Sequence, residues 1–467
     1  RMQNPLSCPD HLDPAGLRTW LDARQDYERT PPQSSRAAFG LGRMRQLLRL
    51  LGNPHAAIPV AHVAGTKGKG STVAMLAAIL AAAGLRTGRY MSPHIHQVEE
   101  RIAIDNLPIS AADLALACGI VRPAVDTLDR LADHRGVRRV TWFEVMTAVA
   151  FVHFARSDVE IIVLETGLGG RLDATNVCRP VVTVITSISL DHMKLLGRTV
   201  GLIAGEKAGI IKRGCPIVSG AVQPAARQVI AAAASRRRAR LFQLGRDFQV
   251  EFLPSAAESS GSGRLVLTPP ATLHRPELIR ADLAMPGRHQ ADNAALAIIA
   301  ALILDRKGFT IPAAAITRGL ATTRLLARIE TISQSPLVIV DAAHNEASMQ
   351  SLIETLAGQL DRYRPRVLLF AASRDKQLRK MLATAGGHFD HVILTRYAIN
   401  PRAAELGPLV AACAAAGLPS PQQADSAAAA LRRAKALAGR RGIVVAAGSF
   451  FLAAEIRAAA GLIDSKP

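Results

Sequence analysis

Residues 60–80 read Val60-Ala61-His62-Val63-Ala64-Gly65-Thr66-Lys67-Gly68-Lys69-Gly70-Ser71-Thr72-Val73-Ala74-Met75-Leu76-Ala77-Ala78-Ile79-Leu80. A short apolar run rich in β-branched residues leads into a loop with three glycines, which opens directly onto an apolar helical segment. A strand, a glycine loop and a helix N-terminus in that order are what a triphosphate requires. Glycines let backbone amides converge on phosphate oxygens, and the helix dipole adds positive potential. Lys69 can neutralise the outer phosphates, and Ser71 or Thr72 can reach a metal. The Walker spacing is not met, since Val63 stands where its first glycine belongs and Gly70 where its hydroxyl belongs. Residues 65–71 are therefore read as a variant phosphate loop.

The same alternation continues on both sides of the loop. Strands are expected at 58–64, 159–164 and 181–186, and again at 337–340, 367–370, 392–394 and 443–446, with Ala/Leu-rich helical segments between them. That pattern predicts parallel sheets covered by helices, in two α/β domains: a P-loop-type ATPase domain over 1–326 and a smaller Rossmann-like domain over 336–467. Residues 327–335 are read as the linker, closing on Ser335-Pro336. Residues 254–263, rich in Ser, Gly and Ala, read as a surface loop. A chain of 467 residues, 49% hydrophobic, exceeds one ordinary core.

Composition narrows the class. The longest apolar stretch, at 294–304, falls short of the roughly 20 residues of a membrane span and reads as a buried helix. Residues 1–13 lack the basic patch and apolar run of a secretory signal, so a cytosolic, membrane-free protein is expected. Cys8, Cys118, Cys178, Cys215 and Cys413 form no CxxC pair, which suggests buried small residues rather than disulfides or zinc. A net charge of +20, with runs such as Arg236-Arg237-Arg238, invites a nucleic-acid reading. With 4% aromatic residues and no recognised nucleic-acid motif, a solvated arginine-rich surface, or a field that steers polyanionic small substrates, fits better.

The loop Gly65-Thr66-Lys67-Gly68-Lys69-Gly70-Ser71 resembles the GTNGKGS loop of the Mur ligase superfamily, with Lys67 in place of the usual Asn. Other stretches narrow the resemblance to folylpolyglutamate and dihydrofolate synthases. They are Ser92-Pro93-His94, Glu165 through Asn176, Leu190-Asp191-His192, Glu206-Lys207-Ala208-Gly209, His289-Gln290, Asp341-Ala342-Ala343-His344-Asn345, Arg374-Asp375-Lys376 and Gly448-Ser449-Phe450. They occur in the family's order across nearly the whole chain. Met193-Lys194-Leu195 departs from the more usual polar and aromatic residues at that point.

The resemblance implies an ATP-dependent carboxylate-amine ligase that joins L-glutamate to a folate or dihydropteroate through an acyl phosphate, releasing ADP and phosphate. It places ATP between the domains, on residues 65–71 together with Asn293, Arg328 and Asp341. It assigns magnesium to Ser92, Glu165 and His192, with a second ion on a carbamylated Lys207. Lys69, His192, Lys207 and His344 are the implied catalytic residues, His344 lying near the γ-phosphate and the incoming glutamate. Gly40, Leu41, Thr141, Trp142, Phe143, Glu144, Leu172, Asp173 and Ala174 match pterin-side positions, although Trp142 and Phe143 suit a core equally well. A monomer acting on small molecules is expected. The competing readings are another Mur-type amino-acid ligase, against which the stretch 165–176 argues, and a nucleic-acid-binding ATPase.

Overall fold

The computed structural model describes residues 13–28, 39–254, 263–273 and 278–463. Two compact units divide them: residues up to 251 with 265–281 and 291–323, and residues 252–264, 282–290 and 324 onward. In the first, strands β1 (Val60–Ala64), β2 (Thr87–Tyr90), β3 (Ile102–Ile104), β4 (Leu107–Pro108), β5 (Ile161–Glu165), β6 (Pro180–Ile185), β7 (Ile217–Ser219) and β8 (Leu241–Gln243) form one sheet in the order β4-β3-β2-β5-β1-β6-β7-β8. The pairs from β2 to β8 are parallel, and β3 and β4 add an antiparallel edge. β1 and β5 are buried at every position, the mark of strands covered on both faces.

The loop at 65–68 leaves the carboxyl end of β1, between its neighbours β5 and β6. Val63 pairs in register with Glu165 and Ala64 with Ile185, so the last residue of β5 and the residues just after β6 flank the loop. Strand β1 lies where the chain turns from building one side of the sheet to building the other, the position at which open α/β sheets bind ligands. The helix Lys69–Ala82 that follows is apolar all round and buried from Ser71 to Leu80. The helix Ala313–Thr322 packs against it so closely that a Cβ on Gly319 would lie 2.6 Å from the backbone nitrogen of Ile79.

A three-stranded sheet, β11-β10-β9, contains β9 (Gln249–Pro254), β10 (Gly263–Thr268) and β11 (Ile279–Leu283). Of the loop expected at 254–263, residues 255–262 lie outside the described residues. The second unit carries β12 (Glu330–Gln334), β13 (Leu337–Val340), β14 (Arg366–Phe370), β15 (His391–Leu394), β16 (Gln422–Gln423) and β17 (Ile443–Ala447), in the order β12-β13-β17-β14-β15-β16. All its pairs are parallel except β12 with β13. Residues 330–334, read from sequence as linker, are thus an edge strand of this sheet. Weak apolar periodicity hid them because an edge strand buries little, and none of the five is fully buried.

Cys118, Cys178, Cys215 and Cys413 are free and buried, and Cys8 lies outside the described residues. Among the described residues no helix is long and apolar enough to cross a membrane.

Candidate active site

The phosphate loop is held by close backbone approach and by its Thr66 hydroxyl, which donates to Ser189 O at 3.2 Å and accepts the Ser189 N–H at 3.1 Å. A Cβ on Gly65 would sit 1.7 Å from Thr186 Oγ1, and one on Gly68 would sit 2.1 Å from Asn293 Oδ1. Gly68 also has φ +80, a left-handed conformation that glycine adopts without strain, and it caps the helix that starts at Lys69. The residues after β6 close the other side. Thr186 and Ser187 hydroxyls donate to the Lys67 carbonyl at 2.6 and 3.3 Å, and the Thr66 N–H donates to Ser187 O at 2.7 Å. The first helical turn presents its backbone N–H groups at a loop so fixed.

Two lysines flank the loop. Lys69 Nζ stands 3.8 Å from Glu165 Oε1, and Glu165, 3% exposed, accepts the Ser92 N–H at 3.1 Å through its other oxygen. Lys207, 4% exposed, donates to the Gly65 carbonyl at 2.7 Å. Burial, with the nearby Lys69 charge, lowers the Lys207 ammonium to about 7, while Asp191 and Asp173 act in the opposite sense. Glu206 pairs with Arg171 at 2.8 Å instead of with its neighbour Lys207. His192 has φ 47, opens the short helix Met193–Leu196 and places Nε2 4.0 Å from Asp191. Among the described residues no three His, Cys, Asp or Glu side chains gather as a metal cluster.

A directional hydrogen-bond chain runs beneath the 165–176 stretch. Thr175 gives its hydroxyl proton to Asp173 Oδ1 at 2.5 Å, so its oxygen accepts from His62 Nε2 at 2.9 Å. His62 Nδ1 is then the acceptor facing Cys178 Sγ at 3.5 Å. The other Asp173 oxygen takes the Leu168 N–H at 2.9 Å. Asp173 therefore fixes the glycine-rich turn at 167–170, and its burial raises its carboxyl above the ordinary value against these hydrogen bonds. Thr141 and Glu144 form the capping box of the helix Trp142–Arg156, with Glu144 also facing Arg43 at 3.4 Å. The Trp142 ring is buried in the core, with the Arg101 guanidinium 4.6 Å from its centroid. Phe143 is partly buried and packs over Gly167, where a Cβ would lie 2.6 Å from its ring. Gly40 begins the helix Leu41–Leu50 in extended backbone, and Leu172 and Ala174 lie on the Asp173 turn.

In the second unit, Asp341 follows β13 and the segment Gly448-Ser449-Phe450 follows the adjacent β17. Asp341 accepts the Ile329 N–H at 2.8 Å on one oxygen and the Ala343 N–H at 2.7 Å on the other. His344 Nδ1 lies 3.0 Å from Ala342 O, and its ring centroid is 5.5 Å from that of Phe450. The Arg328 guanidinium is 5.0 Å from the same Phe450 centroid.

Comparison with known proteins then decides the family. Residues 136–301 match the Mur ligase middle domain and residues 327–450 the Mur ligase glutamate ligase domain. The chain belongs to the Mur ligase family. It is 40% identical over 371 residues to a dihydrofolate synthase/folylpolyglutamate synthase of Bacillus subtilis, covering 78% of this chain and 81% of that one. The fold superposes on a Mycobacterium tuberculosis folylpolyglutamate synthase complexed with ADP at TM-score 0.85, 32% identity and 96% and 98% coverage. It also superposes on an FPGS–AMPPCP–folate complex at TM-score 0.76, 31% identity and 96% and 99% coverage.

Within this Mur ligase the structure gathers Gly65, Gly68, Asn293 and Lys207 around one loop, and Lys69, Glu165 and Ser92 beside it. Sequence reasoning missed Thr186 and Ser187, which carry no motif of their own and matter only because β6 lies next to β1. It also missed Asp191 as a charge acting on Lys207, and Phe450 as the ring that Arg328 and His344 share.

Burial lowers His62 to about 3, so the folded protein resists a proton that the unfolded chain accepts near 6.5. Stability is thus lost as pH falls from 6.5 towards 3, by on the order of 3 kcal/mol at pH 4, opposed in part by the raised Asp173. Urea midpoints should fall between pH 7 and pH 4, and fall less in His62→Leu. An equal slope in both proteins would contradict a neutral buried His62.

Proposed function

We propose that this chain is an ATP-dependent ligase that adds L-glutamate to a pteroyl acceptor, dihydropteroate or a tetrahydrofolate, by way of an acyl phosphate. The observation that carries the reading is a rigid phosphate loop whose Lys69 faces a buried carboxylate, Glu165, at the end of the neighbouring strand. The folate-synthase relatives, and the ADP, AMPPCP and folate bound in the superposed structures, support the same substrates.

The loop amides and Lys69 hold the triphosphate and stabilise charge on the transferring phosphoryl group. An acceptor carboxylate oxygen attacks the γ-phosphorus, and the bond to ADP breaks. The glutamate amine then attacks the acyl carbon, phosphate leaves, and the amine proton passes to a base, the role proposed for His344. Arg328, Asn293 and Asp341 are proposed to serve the nucleotide, Asp341 through the backbone it pins. Gly40, Leu41, Phe143, Leu172, Asp173 and Ala174 are proposed to lie on the pteroyl side, with Thr141, Trp142 and Glu144 shaping that region as cap and core.

Glu165 and Ser92 offer hard oxygen donors in a buried corner, and this set fits magnesium, an ion that keeps several waters. Magnesium on Glu165, Ser92 and His192 would screen the triphosphate from the attacking carboxylate. A carbamate on Lys207 would supply the anionic ligand for a second ion. A buried amine lowered to about 7 is largely neutral at pH 7.5 and above, the form that adds to CO2 with loss of one proton.

With ATP, magnesium and glutamate, the purified protein should release ADP in step with amide formation on dihydropteroate or tetrahydrofolate. Lys69→Ala should lower turnover by about a hundredfold or more at unchanged thermal stability. Retention of near-normal rate in that variant, or no glutamate incorporation on either acceptor by the wild type, contradicts the reading.

Activity should also fall in CO2-depleted buffer and return with bicarbonate. Carbon-13 bicarbonate should give a carbamate resonance that Lys207→Met removes. Full activity after depletion, with no such resonance, excludes the carbamate.

A further inference from the structure

Arg328 sits between two non-glycine residues in left-handed backbone, Ala327 at φ 54 and Ile329 at φ 49. For a β-branched residue this conformation is a strained outlier, which persists only where its surroundings over-determine it. Here the surroundings do so. Asp341 accepts the Ile329 N–H, Glu330 Oε2 accepts the Ala327 N–H at 2.8 Å, and Ala327 O accepts the Ala342 N–H at 2.9 Å. Glu330 is itself tied to the buried Arg457 of the last long helix. The turn is therefore held at both ends, and its product is the placement of a single side chain, Arg328.

A long arginine side chain on a fixed turn still has several rotatable bonds. The Phe450 ring removes that freedom: the guanidinium lies over it at 5.0 Å, and the His344 ring meets it at 5.5 Å with 42° between planes. Phe450 follows β17, and Asp341 and His344 follow β13, the adjacent strand in parallel register, so one strand pair sets all three groups. A cation on an aromatic face is held there by the ring's quadrupole.

We propose that Phe450 is a positioning residue that sets the Arg328 guanidinium and the His344 imidazole together, before ligand arrives, for nucleotide binding and glutamate transfer. This rests on the roles given above to Arg328 and His344. Removing the ring takes the aromatic face from the Arg328 guanidinium and the ring contact from His344, which keeps its Ala342 O contact, so binding and turnover suffer through these two side chains rather than through any contact of Phe450 with substrate.

The test uses Phe450→Leu, Phe450→Tyr, Arg328→Ala and the Phe450→Leu/Arg328→Ala double variant. With labelled arginine, the Arg328 side-chain resonance should carry a ring-current shift that is lost in Phe450→Leu and kept in Phe450→Tyr. KM for ATP should rise about fivefold or more in Phe450→Leu and recover in Phe450→Tyr. The double variant should be no worse in KM for ATP than Arg328→Ala alone. Costs that add in the double variant, or unchanged kinetics in Phe450→Leu despite loss of the shift, overturn the positioning role. A normal KM for ATP in Arg328→Ala with the ring-current shift present overturns the nucleotide role of Arg328, and the proposal with it. Absence of the shift in the wild type overturns the proposal alone.

Discussion

At Gly65 and Gly68 the phosphate loop has room only for backbone, and the site in the first unit follows from that constraint. Strand β1 ends between β5 and β6, so the loop that leaves it is bounded by whatever those strands end in. On one side that is Glu165; on the other it is Thr186 and Ser187, whose hydroxyls donate to the Lys67 carbonyl. Lys207 reaches in from the helix Val200–Ala208 to the Gly65 carbonyl, and Asn293 stands against Gly68. Any Cβ at Gly65 or Gly68 would collide with these neighbours. The glycines are therefore demanded by packing as well as by the phosphates they would approach.

The second unit repeats the logic with different materials. The residues proposed to serve nucleotide and glutamate there also follow the carboxyl ends of adjacent parallel strands, β13 and β17, but no glycine loop holds them. A strained turn around Arg328 is pinned by a buried carboxylate and ends against an aromatic ring. Asp341 shows how a buried acid can act mainly through the backbone: each of its oxygens accepts one main-chain N–H, and its burial raises the carboxyl against the nearby Arg328 charge. Asp173 does the same for the turn at 167–170.

Local signals carried much of this in sequence. The strand, glycine loop and helix at 60–80 are legible because composition and period agree over the whole stretch, and the seven strands expected from sequence, β1, β5, β6, β13, β14, β15 and β17, lie within two residues of their expected ends, whereas the shorter strands of both sheets carry no clear signal. Glu165 and Asp341 were legible as acids at strand ends. Strand order was not, because β6 and β5 become neighbours of β1 only through tertiary packing; without it Thr186 and Ser187 look like any turn. The left-handed Ile329 was hidden because a β-branched residue gives no local hint of positive φ, and β12 because an edge strand buries too little to show a period. Thr141 and Glu144, which the resemblance sets on the pterin side, form a helix cap, and Trp142, which suits a core equally well in sequence, is a core ring.

On the proposed mechanism the loop delivers the terminal phosphoryl group of ATP to a carboxylate oxygen. Oxygen-18 in the carboxylate of the pteroyl acceptor tests this most directly. One labelled oxygen should appear in inorganic phosphate for each amide formed, with ADP as the nucleotide product. Labelled oxygen retained in AMP, with pyrophosphate released, or phosphate free of label would contradict it.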